Sequence, residues 1–139
     1  MFLGEYQHSI DAKGRIAIPA KFRGELVRGI VLVRGIEACL FGYALDIWEE
    51  KARALDTLDL DDAKRRQIER RFFGTAQDCE LDAQGRIVVP PSFRRYADLT
   101  GECVVIGARQ RFEIWSRARW EAYLDDTADL DLAGLKLPF

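Results

Sequence analysis

Histidine occurs once in this chain of 139 residues, at His8, and cysteine three times, at Cys39, Cys79 and Cys103. No two cysteines stand in a C-x-x-C pair, so the usual ligand set of a zinc cluster is missing. A lone histidine without a nucleophile in a known spacing is no sign of a catalytic triad. The chain has no P-loop, no nucleophile elbow and no specifically spaced pair of carboxylates. These absences speak against an enzyme, a small-molecule substrate, a metal or any other cofactor. Three widely spaced cysteines suit reduced thiols that pack as small apolar groups in a cytoplasmic protein. Long hydrophobic runs are also lacking, and a typical one is "IVLV" at 30–33. A span needs about 18 or more apolar residues, so no membrane partner is expected. The start, "MFLGEYQHSID", lacks the basic segment and apolar core of a signal peptide.

An excess of one charge sign is missing too. Lys and Arg total 21 against 23 Asp and Glu, a net charge of −2. The distribution is uneven. Residues 11–34 hold Lys13, Arg15, Lys21, Arg23, Arg28 and Arg34 against Asp11 and Glu25. From 121 onward, Glu121, Asp125, Asp126, Asp129 and Asp131 face only Lys136. A local basic field attracts a polyanion even when the whole chain is slightly acidic.

The chain also contains one phrase twice. "DAKGRIAIPAKFR" (11–23) and "DAQGRIVVPPSFR" (82–94) agree at eight of thirteen positions. Weaker likeness continues from "IVLVRG" to "CVVIGA" and from "LDIW" to "FEIW". Two copies of one supersecondary unit are implied, either as one compact domain or as two intertwined halves. Asp first and Gly fourth are type I turn preferences. The β-branched runs "RIAI" and "RIVV" read as strands, and strand–turn–strand reads as a hairpin. Pro19 and Pro90 then suit the first turn of short helices, "AKFRGEL" and "PSFRRYADL", with Phe22 and Phe93 as core anchors. Further strands are expected near 30–34, 39–43, 102–106 and 111–115. The residues predict helices over 48–55 and 118–126, and an inserted helix over 58–74 with Asp61 or Asp62 as N-cap and Gly74 as C-cap. The expected division is a first half at 1–57, the inserted helix at 58–74, a second half at 75–126 and a tail at 127–139. The tail is expected to be partly ordered or to dock on a neighbour.

Two readings of the phrase stand side by side. Asp-x-x-Gly-Arg is a well-formed turn, sufficient on its own for folding. Alternatively, Asp11 aims the Arg15 guanidinium through a charge-assisted hydrogen bond across the turn. Lys13 at the tip, with Lys21 and Arg23 on the following helix, then adds cations to one face. An oriented guanidinium suits a phosphate or a guanine edge. The second copy has Gln84 and Ser92 in place of Lys13 and Lys21, while retaining Arg86, Arg94 and Arg95.

The two D-A-x-G-R-I-x-[IV]-P phrases resemble the AbrB-like swapped-hairpin motif of bacterial transition-state regulators. The order of the whole chain is similar to the MraZ family: "MFLGEYQHSIDAKGRIAIPAKFR", then "RRFFGTAQDCELDAQGRIVVPPSFR", then "VVIGARQRFEIWSRARWEAYL". The resemblance runs from Met1 to about Leu124. It implies a β-rich α+β fold, in which two AbrB-like halves build a pseudo-twofold swapped-hairpin β-barrel flanked by short helices. It implies a DNA-binding transcriptional regulator, commonly a repressor, of the division and cell-wall gene cluster. Its subunits would close a homo-oligomeric ring on short direct repeats in promoter DNA, and the protein would be cytoplasmic and nucleoid-associated. The family's Asp-x-x-x-Arg motif falls on Asp11 with Arg15 and on Asp82 with Arg86.

Other features fit more than one role. "KRRQIERR" (64–71) is either a solvated face balanced by Asp56, Asp59, Asp61 and Asp62 or a second DNA-contacting helix. Trp48, Trp115 and Trp120 read as core or interface anchors at helix starts. An antitoxin-like or scaffolding module is the alternative function, favoured by the apolar tail "LAGLKLPF".

Overall fold

The computed structural model describes residues 1–139. Its eight strands are β1 (Glu5–Ile10), β2 (Arg15–Ala17), β3 (Ile30–Arg34), β4 (Leu40–Ala44), β5 (Gln77–Cys79), β6 (Arg86–Val88), β7 (Gly101–Ala108) and β8 (Arg111–Ser116). Helix α1 (Ala20–Arg23) continues as a 3-10 turn over Gly24–Leu26, and α2 spans Leu45–Leu55. Then come α3 (Asp62–Ile68), α4 (Pro91–Ala97) and α5 (Arg117–Asp126). No helix is long and apolar enough to cross a membrane.

The strands form one antiparallel sheet in the order β5-β3-β4-β8-β7-β1-β2-β6. The two halves are interleaved. β1 pairs with β7 of the second half from Glu5↔Ile106 to Ile10↔Gly101. Its counterpart β5 pairs with β3 of the first half. β2 pairs with β6, and β4 with β8, each with its own counterpart. The sheet ends meet at the second turn, where the Asp82 N–H donates to Arg86 O at 2.8 Å. The result is a nearly closed β-barrel of α+β class with short helices outside it.

The local hairpin is therefore only vestigial. β1 and β2 share the single register pair Ile10↔Ile16. A three-residue strand has too few ladder bonds to decide its partner locally, so burial decides it. Ile16 and Ile87 stand opposite each other, both within the core. Phe22 and Phe93 anchor α1 and α4 in that core, as their matched positions in the repeat predict. Phe22 meets Phe2 and Tyr6 edge-on at 5.1 and 5.5 Å between ring centroids. Cys39 and Cys103 are buried, and burial pushes their thiols up to about 12 and about 11. They are free cysteines acting as small apolar groups.

Several elements depart from the sequence reading. Pro19 and Pro90 sit one position ahead of their helices, as caps, and Pro91 takes the first helical turn. Trp48 lies inside α2, which begins at Leu45 rather than at 48. Trp115 lies in β8, not at a helix start, and packs on Trp120 and Tyr123 of α5. The inserted helix starts at Asp62, with Asp61 as N-cap accepting from the Lys64 N–H at 2.8 Å. Its last turn, Glu69–Phe73, widens to a π-helix, closed by the Gly74 N–H on Glu69 O at 2.9 Å. Gly74 keeps a right-handed φ of −66°. A Cβ there would stand 2.6 Å from Arg70 O, so close approach rather than handedness asks for glycine. Residues 127–139 form no helix or strand and are exposed, apart from short turns such as Leu135 N–H to Leu132 O.

Two glycines offer a matched test of this packing. A Cβ on Gly42 would fall 2.2 Å from Cζ of the buried Phe112 ring, whereas one on Gly24 meets nothing within 4 Å. Gly42→Ala is expected to lower stability by about 1–3 kcal/mol or more by overpacking. Gly24→Ala is expected to leave it unchanged or raise it by about 0.4–1 kcal/mol. Thermal melts of the two variants beside the parent check both.

Candidate nucleic-acid interface

The two copies of the phrase meet in space. Strands β2 and β6 form a short antiparallel ribbon in the register Arg15↔Val88, Ile16↔Ile87 and Ala17↔Arg86. Because side chains alternate along a strand, the inward isoleucines put Arg15, Ala17, Arg86 and Val88 on the outer face. A turn closes each end of the ribbon. Beyond the register, Ile18 N–H donates to Gly85 O at 2.9 Å and Val89 N–H to Gly14 O at 2.8 Å. Four residue steps separate the two turns, roughly 13 Å along the strand direction.

Each turn is built around its aspartate. In the first, Asp11 O accepts from Gly14 N–H at 3.0 Å, and Oδ1 accepts from the N–H groups of Lys13 and Arg15, both at 2.9 Å. Oδ2 then accepts from Arg15 Nε at 2.7 Å. The second turn repeats this with Asp82, Gln84, Gly85 and Arg86, its Nε contact being 3.0 Å. Gly14 and Gly85 take φ of +81° and +77°, a region that β-branched side chains resist.

The aspartate thus occupies Nε of its arginine and leaves the far edge of the guanidinium for something else. Arg15 uses neither terminal nitrogen within the chain. Arg86 differs, since its Nη2 donates to Gln84 Oε1 at 3.0 Å. Where the first turn has the exposed cation Lys13, the second has an amide that occupies part of its own arginine. Backbone donors, above all the Arg15 and Arg86 N–H groups, hold both carboxyls below the ordinary aspartate range, and the guanidinium contacts add to this.

The remaining residues singled out from the sequence divide into two kinds. Lys21 is exposed on α1. Arg23 is half-buried, and its Nε donates to Ile18 O at 2.9 Å. Its guanidinium lies against the second turn, where a Cβ on Gly85 would come within 2.2 Å of Arg23 Cζ. Burial, and then the charge of Arg23, push His8 below its usual value. Arg94, the counterpart of Arg23 and not among the residues expected at the site, lies against the first turn at Gly14, although its Nε has no hydrogen-bond partner. The signal was present in the repeat, since both phrases end in Phe-Arg. In the basic helix, Arg65 donates to Leu55 O at 2.9 Å and Leu58 O at 2.8 Å, tying α3 to the end of α2. Arg66, Arg70 and Arg71 are exposed.

This arrangement of two crossed turns coincides with an internal division of the chain. The family model described as "MraZ protein, putative antitoxin-like" matches residues 1–71 and again residues 72–134. The chain belongs to the MraZ family. A MraZ relative from Ligilactobacillus salivarius (strain UCC118), named "Transcriptional regulator MraZ", is 47% identical over 129 residues, covering 93% of this chain and 90% of the relative. A relative of the same name from Roseiflexus castenholzii (strain DSM 13941 / HLO8) is 47% identical over 124 residues, covering 89% of this chain and 87% of the relative.

Two outcomes follow from the turn geometry. Gly14→Val must combine a positive φ with a Cβ 2.8 Å from Val89 O. It is expected to melt well below the parent, and equal melting temperatures would refute the turn assignment. A carboxyl whose value is lowered by folding stabilises the fold above its unfolded value, roughly 3.9, and loses that contribution as pH falls through the folded value. The melting-temperature advantage of the parent over an Asp11→Asn, Asp82→Asn double variant is therefore expected to shrink below about pH 4. Melts from pH 7 down to pH 3 read it.

Proposed function

We propose that this chain is a sequence-specific DNA-binding transcriptional regulator, acting on double-stranded promoter DNA. The observation that carries this reading is the outer face of the β2–β6 ribbon. There Arg15 and Arg86 are each fixed through Nε by an aspartate, and Arg15 keeps both terminal nitrogens unengaged. A two-stranded ribbon fits the major groove, and arginine there reads a guanine edge through two donors. Asp11 and Asp82 are positioning groups, while Lys13 and Lys21 add phosphate contacts that set register and affinity. Arg23, packed on the second turn at Gly85, adds its charge there.

A single copy has few outward cations, and its net charge is −2. Several copies in a homo-oligomeric ring would engage successive promoter repeats, each raising the effective concentration of the next. The names of the relatives support a regulator, and the resemblance to the family supports repression of the division and cell-wall gene cluster.

Fluorescence anisotropy on duplex DNA from upstream of the protein's own gene tests this at two salt concentrations, beside a scrambled duplex. The parent is expected to bind tightly, to prefer the native sequence, and to weaken steeply with salt. Arg15→Ala is expected to cost about 1–3 kcal/mol, roughly 5- to 150-fold in Kd, and to erase most of the sequence preference. Binding to no duplex overturns the reading in favour of an antitoxin-like or scaffolding module. The exposed Leu130, Leu132, Leu135, Leu137 and Phe139 would then be its contact surface.

A further inference from the structure

The two arginines that end the repeated phrase reach across the pseudo-twofold to the other half's turn, Arg23 while its Nε also donates to Ile18 O of its own half. Arg94, on α4 of the second half, covers the first turn. A Cβ on Gly14 would lie 2.9 Å from both Cζ and Nε of Arg94, and Arg94 Nη1 reaches Ala12 O at 3.5 Å. Its Nε is buried against the turn with no hydrogen-bond partner. Arg23, on α1 of the first half, covers the second turn, with Cζ and Nε at 2.2 and 2.3 Å from a Cβ position on Gly85. Each planar guanidinium thus lies on the bare face of a glycine that any side chain would block.

We infer that Arg94 and Arg23 are positioning residues, each clamping the Asp-x-x-x-Arg turn of the opposite half so that its arginine is presented in fixed geometry. This rests on the DNA-binding reading for its functional consequence, but not for its structural claim. The first turn projects from the end of a three-residue strand and is otherwise held by its aspartate and by one bond from Val89 N–H. A clamp removes motion that binding would otherwise have to arrest. Planarity is needed as well as charge. A lysine ammonium is a compact, strongly hydrated point charge and cannot lie flat on a peptide. The clamp also gives the second copy of the phrase a role independent of its own outward charge. Although it has Gln84 and Ser92 where the first copy has lysines, it supplies the arginine that orders the first turn.

The test is hydrogen exchange on the full-length protein, read by mass spectrometry on peptides covering residues 11–15 and 82–86. Arg94→Met is expected to speed exchange in 11–15 and spare 82–86, and Arg23→Met to do the reverse. Arg94→Lys is expected to behave as Arg94→Met. Equal effects on both turns, effects confined to the variant's own half, or full rescue by Arg94→Lys would each overturn the clamp. If Arg94→Met does not fold, Arg94→Lys and Arg23→Met carry the same crossed comparison. The exchange arm needs no DNA, so failure of the parent to bind DNA refutes the function and leaves the clamp to be judged on exchange. Where the parent binds, Arg94→Met and Arg94→Lys are expected to weaken binding roughly tenfold or more with the salt slope unchanged. A slope reduced by about 0.9, with affinity retained in Arg94→Lys, would instead make Arg94 a phosphate contact.

Discussion

The structure depends on the pairing of β2 with β6, extended at each end by a bond from one half's backbone to the other half's turn glycine. Neither strand reaches four residues, and alone neither would hold a hairpin. Joined, they bring Ile16 and Ile87 together in the core and place two turns at the ends of one ribbon. The exchange of first strands, β1 to β7 and β5 to β3, follows because each leads directly into its turn. The two halves therefore have no separate cores. Phe2, Phe22, Phe93 and Phe112 belong to one cluster.

The sequence made legible what is local and periodic. The repeat, the Asp-x-x-Gly turn, the short helices after the prolines and the core role of Phe22 and Phe93 could all be read from residue types at fixed spacing. Pairing partners were less accessible. "RIA" and "RIV" hold too little pattern to say whether they pair locally or across the halves. The neighbours of Trp115 read as a helix start, whereas β8 continues through Ser116 and only then becomes α5. Gly74 looked like an ordinary helix cap, and the widened last turn that it closes has no local signature.

The electrostatics of the site follow the same division between local and distant causes. Asp11 and Asp82 neutralise much of the charge they orient, so the ribbon is not a bare cationic patch. What it offers is direction. An aspartate that already holds two backbone donors has a fixed position, and through Nε it fixes the plane of its arginine. Outward charge is then added unevenly between the copies, since the first carries Lys13 and Lys21 where the second has Gln84 and Ser92. A chain of net charge −2 can in this way hold an oriented guanidinium at its surface.

The crossed contacts explain why the phrase is long as well as repeated. A turn that served only its own strand would need Asp, Gly and the residues between them. Here the likeness extends to Phe and Arg at its far end, twelve positions from the aspartate. Phe anchors the helix in the shared core, and that anchoring sets where the next residue emerges. The next residue is the arginine lying on the other half's glycine. Glycine and arginine are thus two ends of one contact, although they belong to different copies. A change at either end would be felt in the opposite half, which couples the two copies even where their outward charges have diverged.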